Sequence, residues 1–191
     1  MRVLVVDESA EGAEMLRAAL RHAGLEVTAS LSSPLALLKT IETLQPDVIV
    51  IDTESPSRDV LEQLALMSQH TPRPVVMFAN DRQPEKIREA TRAGVSAYVV
   101  DGVDKDRIKV IVDAAVARFE EMQSLRAQLA EAQQKLSDRR LVERAKGLLM
   151  KARGLDEDAA HALLRKMAMD RKLKLPDLAQ KLVDAADLLG A

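Results

Sequence analysis

Five short apolar runs alternating with amphipathic stretches predict a parallel α/β sheet over residues 1–117. A stretch from Asp106 to Arg140 without Gly or Pro predicts one long helix after it. Gly154 and Pro176 then punctuate the remainder into a small all-α module. The chain therefore divides into an α/β domain at 1–117, a helical linker at 118–137 and a three-helix module at 138–191.

The elements follow in order. Val3–Val6 is a β-branched and aliphatic run ending at Asp7 and Glu8, as a buried parallel strand ends at a sheet edge. Glu14–Ala23 is amphipathic and stops at Gly24. Val27–Ser30 is a weaker strand and Pro34–Leu44 a second helix. Asp47–Ile51 is the clearest strand and ends at Asp52. Val60–Ser68, Val75–Ala79, Glu85–Ala93 and Ala97–Val100 continue the alternation, and a fifth helix begins near Asp104. Acids at the ends of strands one and three bring Asp7, Glu8 and Asp52 to the carboxyl edge, where open α/β sheets carry their sites. Three carboxylates there suit one hard dication such as Mg2+.

In the long helix, Met122, Leu125, Leu129, Ala132 and Leu136 recur in steps of three and four, the spacing of a coiled-coil seam. Arg139 and Glu143 break the stripe, and a single amphipathic helix packed on the α/β domain is the alternative. Ser137-Asp138 either restarts a helix or rides in a continuous one.

The C-terminal module begins with a basic, alanine-rich helix whose Leu141, Ala145, Leu148 and Leu149 share a face. Gly154 ends it, and Asp156 opens an acidic first turn. Ala159, Ala160, Leu163, Leu164 and Met167 form the next stripe. Pro176 suits the start of a third helix running to Leu189 and stopping at Gly190. Met150, Met167 and Met169 are expected as core filler.

Composition bounds the chemistry. The 191 residues contain no cysteine, which excludes disulfides and thiolate chemistry. His22, His70 and His161 lack ligand spacing, and no Gly-rich phosphate loop is present. No apolar run is long enough to span a bilayer, and the N-terminal MRVLVVDES is a strand rather than a signal peptide, so a cytoplasmic protein is expected. Net charge is −2, yet residues 139–174 hold 11 basic against 5 acidic side chains. That excess is the footprint of a nucleic-acid face, although a solvated helix surface also carries such charge.

Two resemblances follow. The run Ala145-Lys146-Gly147-Leu148-Leu149-Met150, then Gly154, Ala160, Leu164-Arg165, Ala168 and Ala179, resembles the ANTAR domain over about Asp138–Leu189. Residues Arg2–Ala117 resemble a response-regulator receiver, with Asp52 at the phospho-acceptor position and Pro56 shortly after. The second resemblance implies a flavodoxin-like five-stranded parallel sheet of order 2-1-3-4-5. The first implies an RNA-binding, non-enzymatic regulator that binds stem-loops in leader RNA and prevents a terminator from forming. Ile51–Gln63 and Ala97–Val103, ahead of this tail, look most like nitrate-assimilation transcription antiterminators (NasT-like). That group implies a separate sensor protein holding the antiterminator inactive.

The candidate RNA contacts are Lys146, Arg165, Lys166, Arg171, Lys172 and Lys174, with Arg140 and Arg144 next. Ala145 and Gly147 either admit RNA closely or pack helix on helix. No cofactor is required on this reading, with Mg2+ a candidate for the acidic cluster. The partners are leader RNA, a second copy of the chain through the seam, and a sensor protein, with no membrane.

The receiver pattern is incomplete. The position of the hydroxyl donor at the end of strand four holds Ala79, and that of the Lys at the end of strand five holds Asp101. Ala79 cannot donate, and Asp101 would repel a phosphoryl group. Glu54 and Asn80 add no cation. Tyr98 stands at the strand-five position where the resemblance implies a switching aromatic, the alternative being an edge residue with a solvated hydroxyl. A pseudo-receiver used for docking follows, against two rivals. One is a phosphorylation-switched response regulator with a nucleic-acid-binding output; the other is a Mg2+-dependent phosphatase or phosphotransferase using Asp52.

Overall fold

The computed structural model describes residues 1–100 and 102–189. Five parallel strands form one sheet: β1 (Arg2–Asp7), β2 (Glu26–Leu31), β3 (Val48–Thr53), β4 (Val75–Ala79) and β5 (Ala97–Val99), in the order β2-β1-β3-β4-β5. Between them run α1 (Ala10–His22), α2 (Leu37–Leu44, preceded by a 3-10 turn at Pro34–Ala36), α3 (Arg58–His70) and α4 (Pro84–Ala93). The helices α5 (Ile108–Arg153), α6 (Glu157–Asp170) and α7 (Leu175–Leu189) follow.

Period-two alternation sorts the strand side chains between two cores. Leu4, Val6, Ile49, Ile51, Val75, Met77 and Ala79 pack with residues of α2, α3 and α4. Val3, Val5, Val48, Val50, Val76 and Phe78 pack with residues of α1 and the start of α5. A sheet covered on both faces explains why these strands are almost uniformly apolar.

The helix starts are capped as their sequences dictate. Ser9, Ser57 and Asp156 each accept a backbone N–H from three residues on, satisfying a donor that the first turn cannot. The Ser9 cap moves the start of α1 from the expected Glu14 to Ala10. The fifth helix starts at Ile108 rather than near Asp104, after a turn in which Asp104 Oδ1 accepts from the Asp106 N–H.

The linker helix and the first helix of the C-terminal module are one element, α5, of 46 residues. Asp138 does not restart it: its Oδ1 accepts from Gln134 Nε2 at 2.7 Å, an i, i+4 contact within a continuous helix. The chain divides into two compact units that meet between Gln123 and Ser124. The second unit has its own core of Ala145, Leu149, Ala160, Leu164, Ala168, Leu178, Ala179 and Val183. The expected stop at Gly190 lies outside the described residues. No described helix is long and apolar enough to cross a membrane.

Candidate functional site

The first site follows from strand parity. Asp7 continues the Val3, Val5 face and Asp52 the Val48, Val50 face, and the two acids are register partners on β1 and β3. Asp7 is buried, its Oδ1 accepting from the Ser9 N–H at 2.7 Å while Oδ2 has no hydrogen-bond partner. Burial first, then the neighbouring Asp7 charge and more weakly Glu54, pushes the Asp52 carboxyl above its ordinary pKa. Gly12 closes the site from α1, since a Cβ there would stand 2.6 Å from Asp7 Oδ2.

Asp7 and Asp52 fit a hard dication, which would satisfy the orphaned Oδ2. The expected third ligand does not join them. Glu8 is exposed, and among the described residues no group of three His, Cys, Asp or Glu side chains is placed to hold a metal. The cleft here is lined by Asp7, Glu8, Asp52 and Glu54, with no Lys or Arg among its described lining residues. Ala79 is buried at the end of β4 and offers no donor. Asp101 lies outside the described residues.

Glu54 and Asn80 are not idle. The Glu54 carbonyl accepts from the Asn80 and Asp81 N–H groups at 3.1 Å each, and its carboxylate accepts from Asn80 Nδ2 at 3.1 Å. Ser55 Oγ donates to Asp81 Oδ2 at 2.7 Å, and the Tyr98 hydroxyl donates to the Asp81 carbonyl at 2.8 Å. Of the two readings of Tyr98, the solvated hydroxyl is the one this bond corrects. The loops after β3 and β4 are tied together by polar residues that no single-residue motif reveals.

The second site is basic. Arg165 and Lys166 on α6, and Arg171, Lys172 and Lys174 at the α6–α7 turn, are exposed and, among the described residues, form no ion pair. Arg140 is also exposed. Lys146 is different. It is buried, and its Nζ bonds Glu143 at 2.8 Å and Glu157 at 2.7 Å, tying α5 to α6. Those two hydrogen bonds, Glu143 first, raise its pKa and hold it charged in place. Arg144 pairs with Asp187 of α7. Ala145 is wholly buried, the packing alternative, whereas a Cβ on Gly147 would meet nothing within 4 Å. Met150 and Met167 do pack against the core, but Met169 is 74% exposed and is no core filler.

A five-stranded parallel sheet of this order, with paired acids at the carboxyl ends of β1 and β3, defines a receiver domain. Residues 3–113 match the response regulator receiver domain and residues 130–183 the ANTAR domain. The chain belongs to the response-regulator receiver family and carries an ANTAR domain after the receiver. Over 183 residues it is 28% identical to the transcriptional regulatory protein PdtaR of Mycobacterium tuberculosis, covering 96% of this chain and 89% of that one. A protein-glutamate methylesterase/protein-glutamine glutaminase of Xanthomonas oryzae is 40% identical over 111 residues, 58% of this chain but only 30% of that enzyme. Among solved structures, the signal receiver domain of the putative response regulator NarL of Mycobacterium tuberculosis aligns with TM-score 0.54 at 24% identity. It covers 60% of this chain and 94% of its own length, and shows the shared fold. The family is regulatory, and similarity to the methylesterase is confined to a part of that enzyme.

Proposed function

We propose that this chain is an RNA-binding transcription antiterminator acting on stem-loops of leader RNA, without catalysis. The observation that carries the reading is the group Arg165, Lys166, Arg171, Lys172 and Lys174, exposed and unpaired on an ANTAR module. Free cations at this density release counterions from a phosphate backbone on binding. The genes controlled are those of nitrate and nitrite assimilation, an inference resting on the resemblance of Ile51–Gln63 and Ala97–Val103 to that group.

The test is binding of the full chain to labelled hairpin RNA and to duplex DNA of equal length at several salt concentrations. Preference for hairpin RNA, weakening as salt rises, is expected. Equal affinity for the duplex DNA overturns RNA specificity.

Control is proposed to come from a sensor protein that holds the chain inactive. Such a partner must bind the inactive state more tightly than the RNA-competent one. The chain is proposed to act as a homodimer through Met122, Leu125, Leu129, Ala132 and Leu136. The exposure of Met122, Leu125, Leu129 and Leu136, 45–59%, supports an unfilled seam.

A second reading, phosphorylation of Asp52 with Mg2+ held by Asp7 and Asp52, is favoured by their side-by-side register and the orphaned Asp7 Oδ2. The cleft's four acids weigh against it. Intact mass after incubation with a small phosphodonor separates the two, since stable labelling at Asp52 supports the switch. In a reporter strain lacking the sensor, equal constitutive activity of wild type and Asp52→Asn supports release from a protein inhibitor.

A further inference from the structure

The α6–α7 turn has two features that neither its fold nor its net charge requires. The first is Lys172, whose φ of 54° is left-handed. The turn closes with the Lys172 N–H on the Met169 carbonyl and the Leu173 N–H on the Ala168 carbonyl, both at 3.0 Å. In this helix-ending pattern the left-handed place is usually taken by Gly, because a Cβ is strained there. A lysine in that place keeps a cation where the backbone would favour none.

The second is Met169. It is 74% exposed although Leu164 and Ala168 of the same helix are buried. One exposed apolar side chain is ordinary on a protein surface. This one lies one helical turn from Arg165 and Lys166 and is followed by Arg171 and Lys172, all exposed. No Phe, Tyr or Trp occurs from Glu120 onward, so the one ring of the second unit is the His161 imidazole, half-buried two helical turns before Met169. A thioether is polarizable and makes favourable contacts with aromatic rings, which include the faces of nucleobases.

We infer that Met169 is the platform for an unpaired base of the RNA loop, with Lys172 fixing the adjacent phosphate. This rests on the RNA-binding reading above and names the residue that would distinguish a loop from a stem. Exposed bases in loops are what proteins stack upon, whereas stem phosphates are met by cations alone.

The test uses the full chain, a labelled RNA hairpin, and a blunt RNA duplex of the same stem sequence. Met169→Ala should weaken hairpin binding by about two- to tenfold, the range of a thioether–ring contact. It should leave duplex binding and the salt dependence unchanged. Met169→Phe should restore or tighten hairpin binding, because a ring stacks at least as well. Lys172→Gly should hold or raise Tm by relieving the left-handed strain. It should also weaken hairpin and duplex together and reduce the slope of log K against log salt by about one. Circular dichroism of each variant checks that the helices persist. Wild-type binding to the hairpin with Met169→Ala unchanged overturns the platform alone. Failure of wild type to bind the hairpin overturns the RNA reading, and the platform with it.

Discussion

The Nζ of Lys146 lies 2.7 Å from a Glu157 carboxylate oxygen, joining α5 to α6 across eleven residues of sequence. With Glu143 it completes a carboxylate–ammonium–carboxylate bridge in which the cation is buried and both acids are exposed. A lysine so held positions the module rather than meeting a phosphate. Lys146→Ala should therefore lower Tm more than Arg165→Ala or Lys166→Ala does. For the variant that remains folded, the salt dependence of RNA binding should match wild type. Arg165→Ala should do the reverse, leaving Tm near wild type and cutting the slope by about one. An unchanged Tm with a reduced slope for Lys146→Ala would return it to the RNA face.

Asp52 gives a pH dependence with a definite sign. Its folded-state pKa lies above the ordinary 3.8 because of burial and the Asp7 charge. The folded protein thus holds this proton longer than the unfolded chain. Stability from this position is full below 3.8 and is lost as pH rises through the folded value. Asp52→Asn should raise Tm at neutral pH, and the gain should vanish as the buffer is taken below 3.8. Calorimetry across that range checks it; a gain independent of pH would mean that the charge is not what strains the site.

Gly12 should respond against the usual helix rule. Gly→Ala inside a helix ordinarily stabilises by about 1 kcal/mol. Here the new Cβ would stand 2.6 Å from the buried Asp7 Oδ2. Gly12→Ala should instead destabilise by about 1–3 kcal/mol, the cost of overpacking. In an Asp7→Ala background that penalty should disappear, and a denaturant-based double-mutant cycle measures the coupling.

The seam can be tested without harming the monomer. Leu125 and Leu129 are 50% and 59% exposed in the single chain, so polar replacements disturb no core there. Leu125→Asp with Leu129→Asp should convert a dimer to a monomer, because a carboxylate buried in an apolar seam costs more than two clean heptads supply. Sedimentation of the variant decides it: a persisting dimer places the interface elsewhere.

The sheet was legible because β-branched runs ending in acids leave few alternatives, and the pairing of Asp7 with Asp52 follows from strand order and parity. What depended on side-chain partners far along the chain was not. The burial of Lys146 was half visible in Glu143 three residues before it; the other half needed α6 to bring up Glu157. The continuity of α5 turned on whether Asp138 bonds its own backbone or Gln134, which spacing does not distinguish. Met169 carried a usable signal. Met167, Ala168 and Met169 are consecutive, and a helix turning about 100° per residue does not bury three in a row against one neighbour. Glu8 was assigned to the metal by adjacency to Asp7, yet β1 ends at Asp7, and Glu8 is exposed at the rim while Asp7 is buried.

Tyr98 is the single tyrosine of a chain that has no tryptophan, and its phenol is anchored on the Asp81 carbonyl. Absorbance and emission beyond the phenylalanine band therefore come from one ring at one address. Burial, and then the Asp81 charge, holds that phenol above its usual pKa, so alkaline titration follows the environment of a lone chromophore. Near-ultraviolet dichroism reports the loop after β4, while a dye on the RNA reports the second unit. A sensor protein acting on one unit and an RNA acting on the other would be followed in a single cuvette, without any label on the protein.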